Sequence, residues 1–427
     1  MTIKSLNIQN KKNNTTLNNT HTSKYERIFQ HSIFDLPFRS FFLLAPAFAI
    51  ISLALWLSML NGIFSFNTGG LTPNIWHIHE MIFAFGTTVA IAFIMTAAQT
   101  WTGQRSLHGK PLARLILLWL VCRLAFYINT EVSIYAAIFL QTIWWLLVIS
   151  QFTALVLKAK NRRNYIFTIM MLLMAMLNIA ILVSDISGNT GVALHLSRSM
   201  ILVFILLMAI VGGRVIPFFT VKGAKTPSIS TPKWLDLLLI PVSVIGLIIF
   251  ILSDFINLPL KPASFMIAAS ILHFIRLLHW RTLQTLSVPL LWSLHVAYAF
   301  VSLGLLALGL SYYQIGISFS DSLHLITIGA ISLMILSMMS RVSLGHTGRL
   351  LVVKNIISLA FIAMLVAALI RSFLPYLLPK VLVAIPLLSR VITNPITMSW
   401  NLSAALWACS MLIFITCYWH ILTTNKR

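Results

Sequence analysis

Apolar positions along the chain fall into twelve long runs separated by short polar or basic connections. The runs are centred on residues 40 to 60, 76 to 99, 112 to 129, 132 to 157, 165 to 184, 193 to 212, 234 to 252, 262 to 279, 289 to 311, 322 to 339, 352 to 371 and 400 to 422. A run of roughly 20 apolar residues crosses the hydrocarbon core of a bilayer as a helix. The pattern therefore predicts an all-α fold, a polytopic integral membrane helix bundle of about twelve transmembrane helices. Residues 372 to 392 are also apolar but carry Pro375, Pro379, Lys380 and Pro386, which favours an interfacial segment over a further span.

Composition agrees. The chain is 59% apolar and only 9% charged, where a soluble domain carries about 25% charged residues. A net charge of +22 would suit nucleic acid if the bases formed a surface patch, but they do not. With the N-terminus inside, 24 of the 30 Lys and Arg fall on the cytoplasmic side, four outside, and two, Arg123 and Arg198, within spans. That asymmetry sets an N-in, C-in topology and makes lipid, not nucleic acid, the partner of the positive charge. Residues 1–34 read as a disordered cytoplasmic tail, rich in Asn, Thr, Ser and Lys at its start, and residues 35–427 as one transmembrane domain. Cys122, Cys409 and Cys417 all lie in spans, where free cysteine behaves as a small hydrophobe.

Two connections interrupt the pattern usefully. Asn61 to Ile75 is uncharged and contains Gly62, Gly69, Gly70 and Pro73, a turn-rich external loop that delivers Trp76 to the outer interface. Span 6 ends in Gly212-Gly213-Arg214-Val215-Ile216-Pro217, where paired glycines and a proline are expected to break the helix. Span 10 follows a similar plan, opening on His324 and closing through Gly345-His346-Thr347-Gly348-Arg349.

Ionisable residues inside spans cost about 2.5–3.5 kcal/mol each at mid-bilayer and are retained where they bind or move something. Spans 2, 6 and 10 run in the same direction and each carries histidine at its outer end: His77 and His79, His195, and His324. Imidazoles at one depth on three co-directional helices form a candidate metal-ligand layer, since neutral imidazole suits iron, copper and zinc. His77 and His79 are about 200° apart around a helix, so both cannot face one site. Arg198 lies three residues after His195 on the same helix face and could hold a carboxylate, either Glu80 or a cofactor's. His295, about 9 Å into span 9, and His346 in the inner loop after span 10 are weaker cofactor-site candidates. There is no HExxH motif and no phosphate-cradling glycine loop.

Four stretches in order, His77-Ile78-His79-Glu80-Met81-Ile82-Phe83-Ala84-Phe85-Gly86, Thr100-Trp101-Thr102-Gly103, Gly213-Arg214-Val215-Ile216-Pro217-Phe218-Phe219-Thr220 and Ser343-Leu344-Gly345-His346-Thr347-Gly348-Arg349, resemble the NnrS family. The resemblance covers residues 35 to 422 or so. It implies a haem- and copper-containing bacterial inner-membrane protein tied to nitric oxide, nitrosative stress and denitrification, with a small gaseous ligand or a redox partner. The layout is also similar to the catalytic subunit of haem-copper oxidases, with twelve spans and histidines on helices 2, 6 and 10, a fold-level analogy. By that analogy His77 or His79 would ligate haem together with His324, and His195 with the histidine left over could hold copper. Span 7 has no histidine and span 10 has one, so the three-histidine copper site of those oxidases is not reproduced. Whether the chain is an enzyme is not set by its sequence. The competing readings are a secondary transporter with a gated Arg198–Glu80 pair on an anionic substrate path, and a non-catalytic scaffold or sensor.

Overall fold

The computed structural model describes residues 29–66, 69–384 and 394–425. Among them it forms helices and no strand. Twelve helices correspond one to one with the twelve apolar runs: α1 (Pro37–Leu60), α2 (Pro73–Thr102), α3 (Gly109–Ile128), α4 (Glu131–Lys158), α5 (Tyr165–Ile186), α6 (Thr190–Gly223), α7 (Lys233–Leu252), α8 (Pro262–Leu278), α9 (Pro289–Ser311), α10 (Phe319–His346), α11 (Asn355–Ala384) and α12 (Pro395–Thr423). Eleven are long and apolar enough to cross a membrane, and α8, at 17 residues, is the short one.

Local sequence sets where these helices start. Pro37, Pro73, Pro262, Pro289 and Pro395 each occupy a first-turn position, where the missing N–H is no loss and φ is already helical. Thr130 and Ser133 cap α4 reciprocally. The loop before α2 is fixed by polar contacts. Asp185 accepts from the Thr72 amide at 2.7 Å, and the Asn129 side chain pairs with both backbone groups of Leu71. Gly70 lies against the Asn129 backbone, with no room for a Cβ. Trp76 follows in the first turn of α2. It is fully buried, its indole donating to the Phe126 carbonyl at 2.9 Å, because the pinned loop turns it inward.

Burial separates the centre from the rim. The apolar stretches of α2 and α10 are 83% and 78% buried within the protein, against 33% for α1, α7 and α12. The central pair also share an irregularity: α2 is π-helical over Glu80–Thr87 and α10 over Leu325–Ser332. In both, a hydroxyl at the end of the segment donates to the carbonyl five residues back, Thr87 to Ile82 and Ser332 to Thr327, which favours the wider turn. Such segments concentrate at functional sites.

Three expectations are corrected. Helix α6 runs unbroken through Gly212, Gly213 and Pro217 to Gly223. Gly213 serves a close approach instead, since a Cβ there would collide with the Arg276 guanidinium, which donates to the Ala209 carbonyl at 2.8 Å. Helix α11 continues through Pro375 and Pro379 to Ala384 where an interfacial segment was expected, consistent with the tolerance of proline inside membrane helices; residues 385–393 lie outside the described residues. Ser32–Phe34, the end of the presumptive tail, forms a helical turn whose Ser32 hydroxyl donates to Asn425 at 2.7 Å, while residues 1–28 lie outside the description.

Gly213→Ala is expected to displace Arg276 and destabilise the protein by about 1–3 kcal/mol, the usual cost of overpacking. Gly191→Ala, which meets open space near the start of α6, should leave the apparent unfolding temperature in detergent unchanged or slightly raised.

Candidate functional site

Helices α1, α2, α6, α10, α11 and α12 line a partly open cavity of about 410 Å³ at the end of the bundle where α2 and α10 begin. That volume lies in the range of small-molecule sites, roughly 300–1,000 Å³. His77 from α2, His324 from α10, Arg198 from α6 and Arg371 from α11 all line it, with Trp56 and Trp400 among the apolar walls.

The two imidazoles are held by different means. His77 stacks on Trp56, with ring centroids 4.5 Å apart and planes 11° from parallel, and its Nδ1 has no hydrogen-bond partner among the described residues. His324 Nδ1 lies 2.8 Å from the Ser320 carbonyl. A carbonyl only accepts, so Nδ1 carries the proton and Nε2 keeps its lone pair. A histidine ligand is ordinarily oriented by this arrangement, its second nitrogen donating to a carbonyl or carboxylate. Arg371 is close enough to act electrostatically on both rings. Its own position is fixed by an ion pair to Asp321 at 2.6 Å and by stacking over Trp400 at 5.1 Å. Arg198 sits over the Phe319 ring at 4.9 Å, and no carboxylate pairs with it among the described residues.

His79 and Glu80 face away from this cavity. With His77 turned toward it, helix geometry places His79 on the far side, wedged against Phe126 and Phe83. Its Nδ1 is 3.2 Å from Glu80 Oε1, which also accepts from Arg123 Nη1 at 2.6 Å. Arg123 Nη2 then donates to Gln141 Oε1 at 2.7 Å. Ser52 and Tyr127 complete the group, 2.8 Å apart, with Ser52 also donating to Glu80. The expected Arg198–Glu80 pair is thereby corrected: the cation on Glu80 is Arg123 of α3, and Arg198 belongs to the cavity. A transporter gated by an Arg198–Glu80 bridge loses its basis.

The remaining candidates are apart from the cavity. His195 turns outward from it, its Nε2 3.1 Å from the Ile251 carbonyl and its ring stacked on Phe250. His295 is buried at the opposite end of the bundle with both ring nitrogens occupied, by Thr220 at 2.8 Å and Thr282 at 3.0 Å. His346 is exposed at that same end and packs on Phe38. Of the sequence-predicted ligand layer, the structure brings together His77 and His324 and leaves out His79 and His195. Among the described residues no three His, Cys, Asp or Glu side chains cluster as a metal site. Sequence reasoning missed Arg371, Trp56 and Trp400. The signal available was a lone arginine at the end of an apolar run, which in a membrane helix must find a partner.

Comparison with known proteins decides the family. The family model described as NnrS protein matches residues 32–426, nearly the whole chain. The chain belongs to the NnrS family. No curated protein matches it. The motifs by which this NnrS chain resembles the family divide between the two ends of the bundle: His77 and Gly86 line the cavity, while Gly213 and His346 lie near the opposite end.

Replacing Arg123 with Met should destabilise the protein by about 3–5 kcal/mol, because Glu80 is left buried and unpaired. The Glu80→Gln/Arg123→Met double variant, with no buried charge remaining, should recover most of that loss. Apparent unfolding temperatures in detergent measure both.

Proposed function

We propose that this protein binds haem in the cavity between α2 and α10, in the bacterial inner membrane, and acts in the response to nitric oxide and nitrosative stress. The observation that carries the reading is that His77 and His324 line one cavity, each with a ring nitrogen uncommitted, alongside the cations Arg198 and Arg371. The fit is chemical. His77 has an orphaned buried nitrogen, His324 has the tautomer of a ligand, and a guanidinium without a carboxylate partner suits a propionate. His77 and His324 would hold the iron, Arg198 would meet a propionate, and Trp56 and Trp400 would line the macrocycle. Bound there, an imidazole-ligated haem would supply an iron able to bind nitric oxide.

The protein's own residues do the rest. Ser320 fixes the orientation of His324, and Trp56 fixes that of His77. The apolar floor, Phe85, Phe204 and Ile331, excludes water from below. Asp321 neutralises Arg371, which leaves Arg198 as the cavity cation without a carboxylate partner among the described residues. For copper, His79 packs against α3 and His195 against α7, so the two do not form one donor set, although His79 Nε2 has no partner among the described residues.

Purified protein in detergent should show a Soret band and one iron per chain. His77→Ala or His324→Ala should abolish or shift that band, and His195→Ala should leave it unchanged. Absence of the band together with absence of iron from freshly purified protein, or a spectrum indifferent to both His77→Ala and His324→Ala, would refute the reading.

A further inference from the structure

Directly below the polar cavity, the same central helices line a second and smaller, partly open chamber of about 80 Å³. Phe204 and Ile331 line both spaces, so an aromatic ring and an aliphatic side chain are all that need separate them. Every residue lining the lower chamber is apolar, with Ala90 and Phe93 from α2, Val211 from α6 and Met338 from α10 among its walls and no hydroxyl or charge.

Such a space does not suit water, which needs two to four polar partners to be retained in a cavity. An apolar cavity of roughly 150 Å³ stays dry and holds benzene or xenon. At about half that volume, this chamber is too small for an aromatic ring and large enough for a diatomic molecule or a single xenon atom. Uncharged apolar molecules leave water for apolar surroundings without any specific contact, so the bilayer itself concentrates them near this depth.

The partition has a built-in clearance. A Cβ on Gly86 would lie 3.3 Å from Phe204 Cζ, tight enough to press on the ring, and Gly86 lies in the π-helical segment of α2. Glycine at this position leaves the Phe204 ring room on the side that faces the polar cavity.

We propose that the lower chamber is a binding site for a small uncharged apolar gas, which reaches the polar cavity past Phe204. The identity of the gas as nitric oxide rests on the haem reading above; the site itself does not.

The test uses full-length protein crystals pressurised with xenon, with anomalous diffraction locating the gas. One xenon atom is expected between Phe204 and Met338 in the wild type, and it should be lost in Ala90→Phe, whose ring fills the chamber. Ala90→Val, a milder filling, should lower its occupancy. No xenon at this position in crystals that bind it elsewhere would overturn the proposal, as would ordered water or a lipid acyl chain in the chamber, or xenon undiminished in Ala90→Phe. Because xenon needs no metal, this outcome is read independently of the Soret band, and either proposal can fail alone.

Discussion

Arg123 and Glu80 meet at 2.6 Å inside a bundle of apolar helices, 1% and 0% exposed. Either charge alone would be prohibitive there, whereas the pair is sustained by Gln141, Ser52 and His79 around it, which take up part of the hydrogen-bonding capacity the ion pair leaves over, with Arg123 Nε unpartnered among the described residues. The consequence reaches beyond stability. Holding Glu80 against α3 fixes the rotation of α2 about its axis, and that rotation turns His77 away from the ion pair and into the cavity. A buried network of this sort is weak evidence for net stability and better understood as a device that specifies one arrangement.

The opposing wall is organised by different chemistry toward the same end. In α10 the Ser320 carbonyl orients His324, and Asp321 one residue on holds Arg371 of α11. A single turn thus aligns one imidazole and one guanidinium toward the cavity. The π-helical segments that follow in both α2 and α10 give these two helices, and no others among the described residues, the same local departure from regular geometry. Below them the lining becomes wholly apolar, so polarity falls along one axis, from the cations Arg198 and Arg371 to the apolar chamber beneath Phe204.

Much of this was legible in the sequence. Apolar runs of helical length matched all twelve helices, and the restriction that a helix places on residues two apart already separated His77 from His79. What the sequence could not carry was long-range pairing. Nothing local to Glu80 says that its cation is Arg123, 43 residues away, when Arg198 is as plausible by spacing. Proline and glycine misled for a related reason: Pro217, Pro375 and Pro379 break helices in water, but in a packed membrane bundle the freed backbone groups are tolerated, and Gly213 answers to Arg276, a contact invisible along the chain. His195 met the expected depth and direction, and its neighbour on α7 claimed it.

The account turns on which imidazoles face the cavity, and thiol accessibility reads that directly. In full-length protein with Cys122, Cys409 and Cys417 replaced by serine, His77→Cys and His324→Cys are expected to react with a small polar thiol reagent added to the purified protein, while His79→Cys and His195→Cys stay unmodified. Labelling of His79→Cys with His77→Cys silent would contradict it.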